Sequence, residues 1–170
     1  MPKLTIAFIA AIIMTIVMQW QGSSLVNETA PWGIVNLEID RPVSRVEEVI
    51  ASNAKNDWYI NIALDFVYIF FYTAFFYMAS LSFHKKERPL FKGKAGKWFI
   101  KLSIAAGVLD VIENLSMLWS LNSGPSVASI WIARHASIIK FGFLGILIIV
   151  LLTSLVLNFA KWNKSRTPGK

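Results

Sequence analysis

Asn61, Asp65, Tyr68 and Tyr72 recur at i, i+4, i+7 and i+11 inside an apolar stretch, which puts all four on one stripe of a helix. Ser103, Gly107, Asp110, Glu113, Asn114 and Met117 share a face of a second apolar stretch by the same count. Lys140 lies in a third, on a face with Ala133, Ala136, Ser137 and Ser154, small residues that let a neighbouring helix come close. Carboxylates, amides and phenols gathered around one lysine can do two kinds of chemistry. They can hold a cationic or hydroxyl-bearing group, or they can move a proton, with Asp110 or Glu113 as the candidate catalytic acid or base. The candidate ligand-binding set is therefore Asp65, Tyr68, Tyr72, Asp110, Glu113, Asn114 and Lys140.

The plainer account is that Lys140 neutralises Asp110 or Asp65 and that Asn114 and the tyrosines satisfy the rest, so that the set only fixes helix register. Three carboxylates, however, outnumber the one clearly intramembrane base. A carboxylate left over must be protonated, meet water or hold a cation. Arg134 lies about 120° round the helix from Lys140 and reads as an interfacial anchor. His84 and His135 fall at opposite ends of their helices and cannot ligate one haem or metal together. His135 beside Asp110 and Glu113 has the donor types of a metal site, but a single histidine next to two basic residues argues against one. No phosphate-cradling glycine loop and no His-Glu-x-x-His pattern occurs, and the absence of cysteine excludes thiolate chemistry. No metal and no cofactor is expected.

The elements that must position these residues are helices, and the solvent they imply is lipid. The chain has 170 residues, of which 55% are hydrophobic and 16% charged, with a mean hydropathy of +0.54. One domain of that composition cannot cover itself with polar groups. Four apolar stretches, at about 4–20, 58–83, 98–120 and 127–159, each reach the roughly 17–25 residues needed to cross hydrocarbon. There the backbone must satisfy itself, so each is a helix. The expected fold is all-α: a polytopic four-helix membrane bundle forming one domain over 1–170.

Charge orients it. The 84–97 loop carries Lys85, Lys86, Arg88, Lys92, Lys94 and Lys97 against Glu87, and the tail adds Lys161, Lys164, Arg166 and Lys170 to the Lys3 of the N-terminus. The 21–57 loop is acidic, with Glu28, Glu38, Asp40, Glu47, Glu48 and Asp57. Lysine and arginine collect in the cytoplasm, which places both termini and the 84–97 loop inside and the 21–57 loop outside an inner (plasma) membrane. The net charge of +7 is then a topology signal with affinity for anionic lipid, and nucleic acid is not an expected partner. Trp20, Trp58, Trp119 and Trp131 fall at outer ends and Trp98 and Trp162 at inner ends, as an aromatic belt requires.

Counting from those ends puts Asp65 about 10 Å, Glu113 about 9 Å and Asp110 about 14 Å below the outer surface. The polar set thus converges in the outer half, and the inner half is expected to pack dry. The first stretch has no ionisable group in its apolar run and reads as packing, with Ala7, Ala10 and Ala11 on its contact side. It ends in Met18-Gln19-Trp20-Gln21, too bulky for a signal-peptidase site, and is expected to stay as an anchor. In the outer loop Ser44-Arg45-Val46-Glu47 is a capping box ahead of Val46, Val49 and Ile50, predicting a short amphipathic surface helix at about 45–55 that packs on the bundle end. Gly33–Ile39 is expected to be extended or re-entrant.

The strings Gly33-Ile34 with Leu37-Glu38, Leu64-Asp65-Phe66 with Tyr72, Asp110-Val111-Ile112-Glu113-Asn114, and Lys140 together resemble small bacterial four-helix membrane proteins of unknown function. The resemblance implies a bacterial inner-membrane protein and carries no activity with it. Three functions compete on the residues alone. The first is a pocket that binds or acts on an amphipathic or cationic small molecule or lipid headgroup. The second is a structural or assembly subunit of a membrane complex, partnered by another membrane protein or by a second copy. The third is a proton-coupled transporter subunit, which would need a polar path to the inner face.

Overall fold

A computed structural model describes the backbone of residues 2–166 and the side chains of residues 3–161. Trp162, Lys164, Arg166 and Lys170, assigned above as an anchor and as tail charges, lie outside the described side chains. The fold is all-helical: α1 (Pro2–Gly22), α2 (Ile34–Ile39), α3 (Val43–Ala51), α4 (Lys55–Lys85), α5 (Gly93–Ser123) and α6 (Val127–Arg166), with a 3-10 turn at Ser23–Leu25. Helices α1, α4, α5 and α6 are long and apolar enough to cross a membrane. They overrun the apolar stretches because a helix does not stop where hydrocarbon would. The 40 residues of α6 span ~60 Å, about twice a bilayer core. Ile6, Ile9, Ile13 and Ile16 of α1 and Ile149, Leu152 and Val156 of α6 are exposed, as on a lipid-facing surface.

The helices pack in chain order, α1 on α4, α4 on α5 and α5 on α6. Gly107 sets the α4–α5 distance, because a Cβ there would collide with the Thr73 side chain. The α5–α6 seam is made by the small face foreseen on α6: Ala133, Ala136, Ser137 and Ser154 are all buried.

The segment 23–54 folds over one end of the bundle as a cap. Leu25, Ala30, Leu37, Val46 and Val49 join Trp58, Ile62, Met117, Leu121, Ile130 and Ala133 in one apolar cluster. Three expectations are corrected here. Gly33–Ile39 is neither extended nor re-entrant: Gly33 turns the chain at φ 58° and Ile34–Ile39 is helical. The glycine is required twice over, since that φ disfavours other residues and a Cβ would lie 3.3 Å from the Gly22 carbonyl oxygen. The surface helix runs Val43–Ala51, beginning before Ser44, so no capping box forms and no side chain caps it. Trp58 is no belt residue; it is fully buried beneath the cap, and its Nε1 donates to the Ile50 carbonyl at 3.1 Å. Trp20, Trp98, Trp119 and Trp131 are exposed, as belt residues should be.

The opposite, basic end is closed by aromatic packing. Phe91 is fully buried, with ring centroids 5.2 Å from Phe83 and 5.0 Å from Phe99. His84 lies here, its Nδ1 2.9 Å from the Phe91 carbonyl oxygen.

Candidate functional site

Lys140 is the hub of the polar cluster. Its side chain is buried, and Nζ donates to Asp110 Oδ1 at 2.8 Å. Glu113 Oε2 lies 2.7 Å from the same nitrogen, off the hydrogen-bonding angle, so Glu113 makes an ion-pair contact and neither of its oxygens accepts a hydrogen bond. The other Asp110 oxygen accepts from Tyr72 Oη at 2.6 Å. Of the two partners foreseen for Lys140, the structure therefore has Asp110 and not Asp65, with Glu113 added. Helical spacing explains this: Asp110 and Glu113 are three residues apart on the α5 face that meets α6, whereas Asp65 is on α4.

Asp65 has a different companion, the Asn114 side-chain amide, which donates to its Oδ2 at 2.7 Å. Among the described residues nothing donates to its second oxygen. Asn114 is fully buried and its Oδ1 has no partner among the described residues. Asn61 donates to Gln21 at the end of α1, and its own Oδ1 is likewise buried and unmatched. Tyr68 Oη lies 3.2 Å from the Thr15 hydroxyl of α1.

A fourth carboxylate belongs to this site and was missed. Glu38 counted as one charge of an acidic outer loop, yet it is only 7% exposed. It sits on α2, and α6 holds that helix from two sides. Ser137 Oγ donates to Glu38 Oε2 at 3.0 Å, and Arg134 Nη1 donates to the Ile39 carbonyl at 2.6 Å, filling a vacancy that the end of a helix leaves open. Arg134 is thus a clamp on the cap rather than a lipid-surface anchor. The signal in the sequence was Glu38 flanked by Leu37 and Ile39, a lone charge in an apolar run. His135 turns away: it stacks on Trp131 with ring centroids 4.1 Å apart, and its Nδ1 lies 2.8 Å from the Trp131 carbonyl oxygen. Among the described residues no group of three histidine, aspartate or glutamate side chains is placed to hold a metal ion.

These groups surround a cavity of about 590 Å³ that reaches from Trp32 and Glu38 under the cap to Tyr72 and Leu144. Asp65, Tyr68, Tyr72, Asp110, Asn114 and Lys140 all line it, whereas Glu113 stands behind the lysine. Thr15, Met18 and Gln19 of α1 line it together with Phe141 and Leu144 of α6, so the cavity occupies a cleft between the two outer helices of the row. α1, read as packing only, supplies a wall of the site.

A second cavity of about 660 Å³ occupies the same α1–α6 cleft near the basic end, bounded by Phe8, Phe75 and Leu151. The expectation that this half is packed dry throughout is corrected: it holds a groove, though an apolar one. The two cavities share no lining residue. Between them runs an aromatic ladder, from Tyr68 to Tyr72 at 5.2 Å, Tyr72 to Phe76 at 6.5 Å, Phe76 to Phe75 at 5.1 Å and Phe75 to Phe8 at 5.3 Å.

No family model, curated protein or solved structure matches this chain. Function is read from the site itself.

Proposed function

We propose that the cavity beneath the cap binds an amphipathic molecule with a cationic, hydrogen-bond-donating headgroup, which enters sideways through the α1–α6 cleft. One observation carries this reading: the site has an excess of carboxylates over cations and of acceptors over donors. Four carboxylates, Glu38, Asp65, Asp110 and Glu113, gather around Lys140 and the cavity with Arg134 as the second nearby cation, and the buried amide oxygens of Asn61 and Asn114 have no donor among the described residues. Burying acceptors without donors costs about 1–3 kcal/mol each. A ligand that carries positive charge and N–H or O–H groups would remove that cost. The cavity lining is mostly apolar around this polar core, which suits a headgroup with a hydrocarbon tail.

Asp110 has both oxygens engaged, by Lys140 and by Tyr72. A group that met a ligand directly would be Asp65 or Glu38, which line the cavity and each have one carboxylate oxygen that accepts no hydrogen bond among the described residues. Should the bound molecule also be transformed, those two are better placed for proton transfer than Asp110 or Glu113. The aromatic ladder below the cavity favours binding over a proton-coupled path through the bundle.

In this reading the protein spans an inner membrane with the basic end in the cytoplasm and the cap outside. Cysteines placed singly at Ser24 and Ser52 should then react with an impermeant reagent from outside; labelling only after lysis would reverse the orientation.

The binding proposal is tested by purifying the full chain in native lipid nanodiscs and identifying what is retained by mass spectrometry. A defined amine-bearing amphiphile should accompany the wild type and be lost from Asp65→Asn combined with Glu38→Gln. Retention of bulk phospholipid alone, unchanged by that pair, would contradict the proposal.

A further inference from the structure

The groove at the basic end is separate from the carboxylate site. Four cations rim it: Lys3 from α1, Lys85 from the last turn of α4, and Lys86 and Arg88 from the turn that follows. No carboxylate lines it, and none of the four makes an ion pair among the described residues. Arg88 is held in place by the face of Phe83, 5.9 Å from the ring centroid, which leaves its guanidinium edge free. Glu87, the one acidic residue of this turn, is exposed and lies outside the lining.

Below the cations the walls are apolar. Phe8, Phe75 and Leu151 line the groove, with Ser82 as a polar rung near the rim. Hydrocarbon walls ending in unpaired positive charge match an amphiphile of opposite polarity: a tail with an anionic head. The turn from Lys85 to Arg88 brings three cations within four residues, enough to surround a phosphate by charge-assisted contacts. Lys3 reaches the same rim from another helix, so the charge converges on the groove instead of merely following the sequence.

We propose that this groove is a binding site for one anionic phospholipid of the leaflet at the basic end, with its phosphate against Lys85, Lys86 and Arg88 and an acyl chain along the α1–α6 cleft. The bound lipid would fill the groove that α1, α4 and α6 enclose at this end. Each Lys or Arg near an anionic headgroup adds to affinity, and removing three such charges should weaken retention by tenfold or more, on the order of the known polybasic effect.

Native mass spectrometry of the full chain, purified in detergent and titrated with phosphatidylglycerol or phosphatidylcholine, tests this. The wild type should retain one phosphatidylglycerol about tenfold more strongly than phosphatidylcholine. Lys85→Gln with Lys86→Gln and Arg88→Gln should remove that preference. Lys92→Gln with Lys94→Gln and Lys97→Gln, which deletes as many charges from the start of α5 at the same end of the bundle but outside the groove, should leave it within about twofold. Ser82→Phe, which fills the groove and keeps every charge, should also prevent retention, and thermal unfolding verifies that each variant is folded. Equal losses in the two triple variants would overturn the site in favour of a diffuse charge effect. Equal retention of the two lipids would overturn it as well, and so would displacement of phosphatidylglycerol by free glycerol 3-phosphate, since that would mean a phosphate site with no need of a tail.

Discussion

Under the cap, Lys140, Asp110, Glu113 and Tyr72 tie α4, α5 and α6 together through contacts of 2.6–2.8 Å, and Glu38 and Arg134 bind the cap itself to α6. At the basic end Phe83, Phe91 and Phe99 pack with ring contacts near 5 Å, and no buried ion pair is found there among the described residues. Helices α4, α5 and α6 pass through both halves, yet among the described residues buried charges cross-link the capped half alone, while the basic half combines aromatic packing with neutral contacts such as Ser80 with Ser103 and His84 with the Phe91 carbonyl. The difference matters because packing is tolerant and buried charge is not. Removing one member of a buried pair strands the other, whereas an altered aromatic contact leaves neighbours free to relax. Natural chains place such costly groups where they are used, so the polar half is the half to test for function.

The sharpest way to break the comparison is Lys140→Met. It should cost about 3–5 kcal/mol in unfolding measured in mixed micelles, because Asp110 and Glu113 would be left buried together. Adding Asp110→Asn should recover part of the loss, while adding Asp65→Asn should be additive, since Asp65 bonds to Asn114 and not to the lysine. Recovery by Asp65→Asn alone would mean that Lys140 serves the α4 carboxylate.

Gly107→Val is next in size. Its side chain would push Thr73 and part α4 from α5, at about 1–3 kcal/mol. Because Thr73 lies on the basic side of Tyr72, the loss should appear in stability with little change in ligand retention. Ser137→Ala should cost least, about 1 kcal/mol, by freeing Glu38. Its larger effect should be faster hydrogen exchange in residues 34–39, without change around Phe91. An equal change at both ends would show that cap and basic end do not behave as separate halves.

Much of this was legible in the sequence. The stripes on α4 and α5 and the small face of α6 follow from helical periodicity, and long apolar runs make that period unambiguous. So the residues that meet in the bundle were recoverable by counting. What counting does not reveal is which stripe meets which. Asp65 and Asp110 looked like equal partners for Lys140, and the choice depends on inter-helix rotation. Glu38 was lost for another reason: Ile34–Ile39 is a single short helix, too brief to show a period, and its acid read as one charge in an acidic loop. Trp58 sits at the end of an apolar run, where a belt residue and a capped core residue look alike. The cleft left no trace, because α1 faces it with Thr15, Met18 and Gln19, residue types that signal nothing alone.

The central claim is that the carboxylate cavity selects positive charge on an amphiphile. It is tested most directly by titrating the full chain, in zwitterionic nanodiscs, with dodecyltrimethylammonium, dodecylamine and dodecyl sulfate, reading affinity by calorimetry. The two cationic probes should bind at least about tenfold more tightly than the sulfate, a preference of ~1.4 kcal/mol or more, with the amine ahead because it can also donate to Asn61 and Asn114. Asp65→Asn with Glu38→Gln should abolish the preference. Equal affinity for all three probes, or a cationic preference that survives the double substitution, would contradict the account.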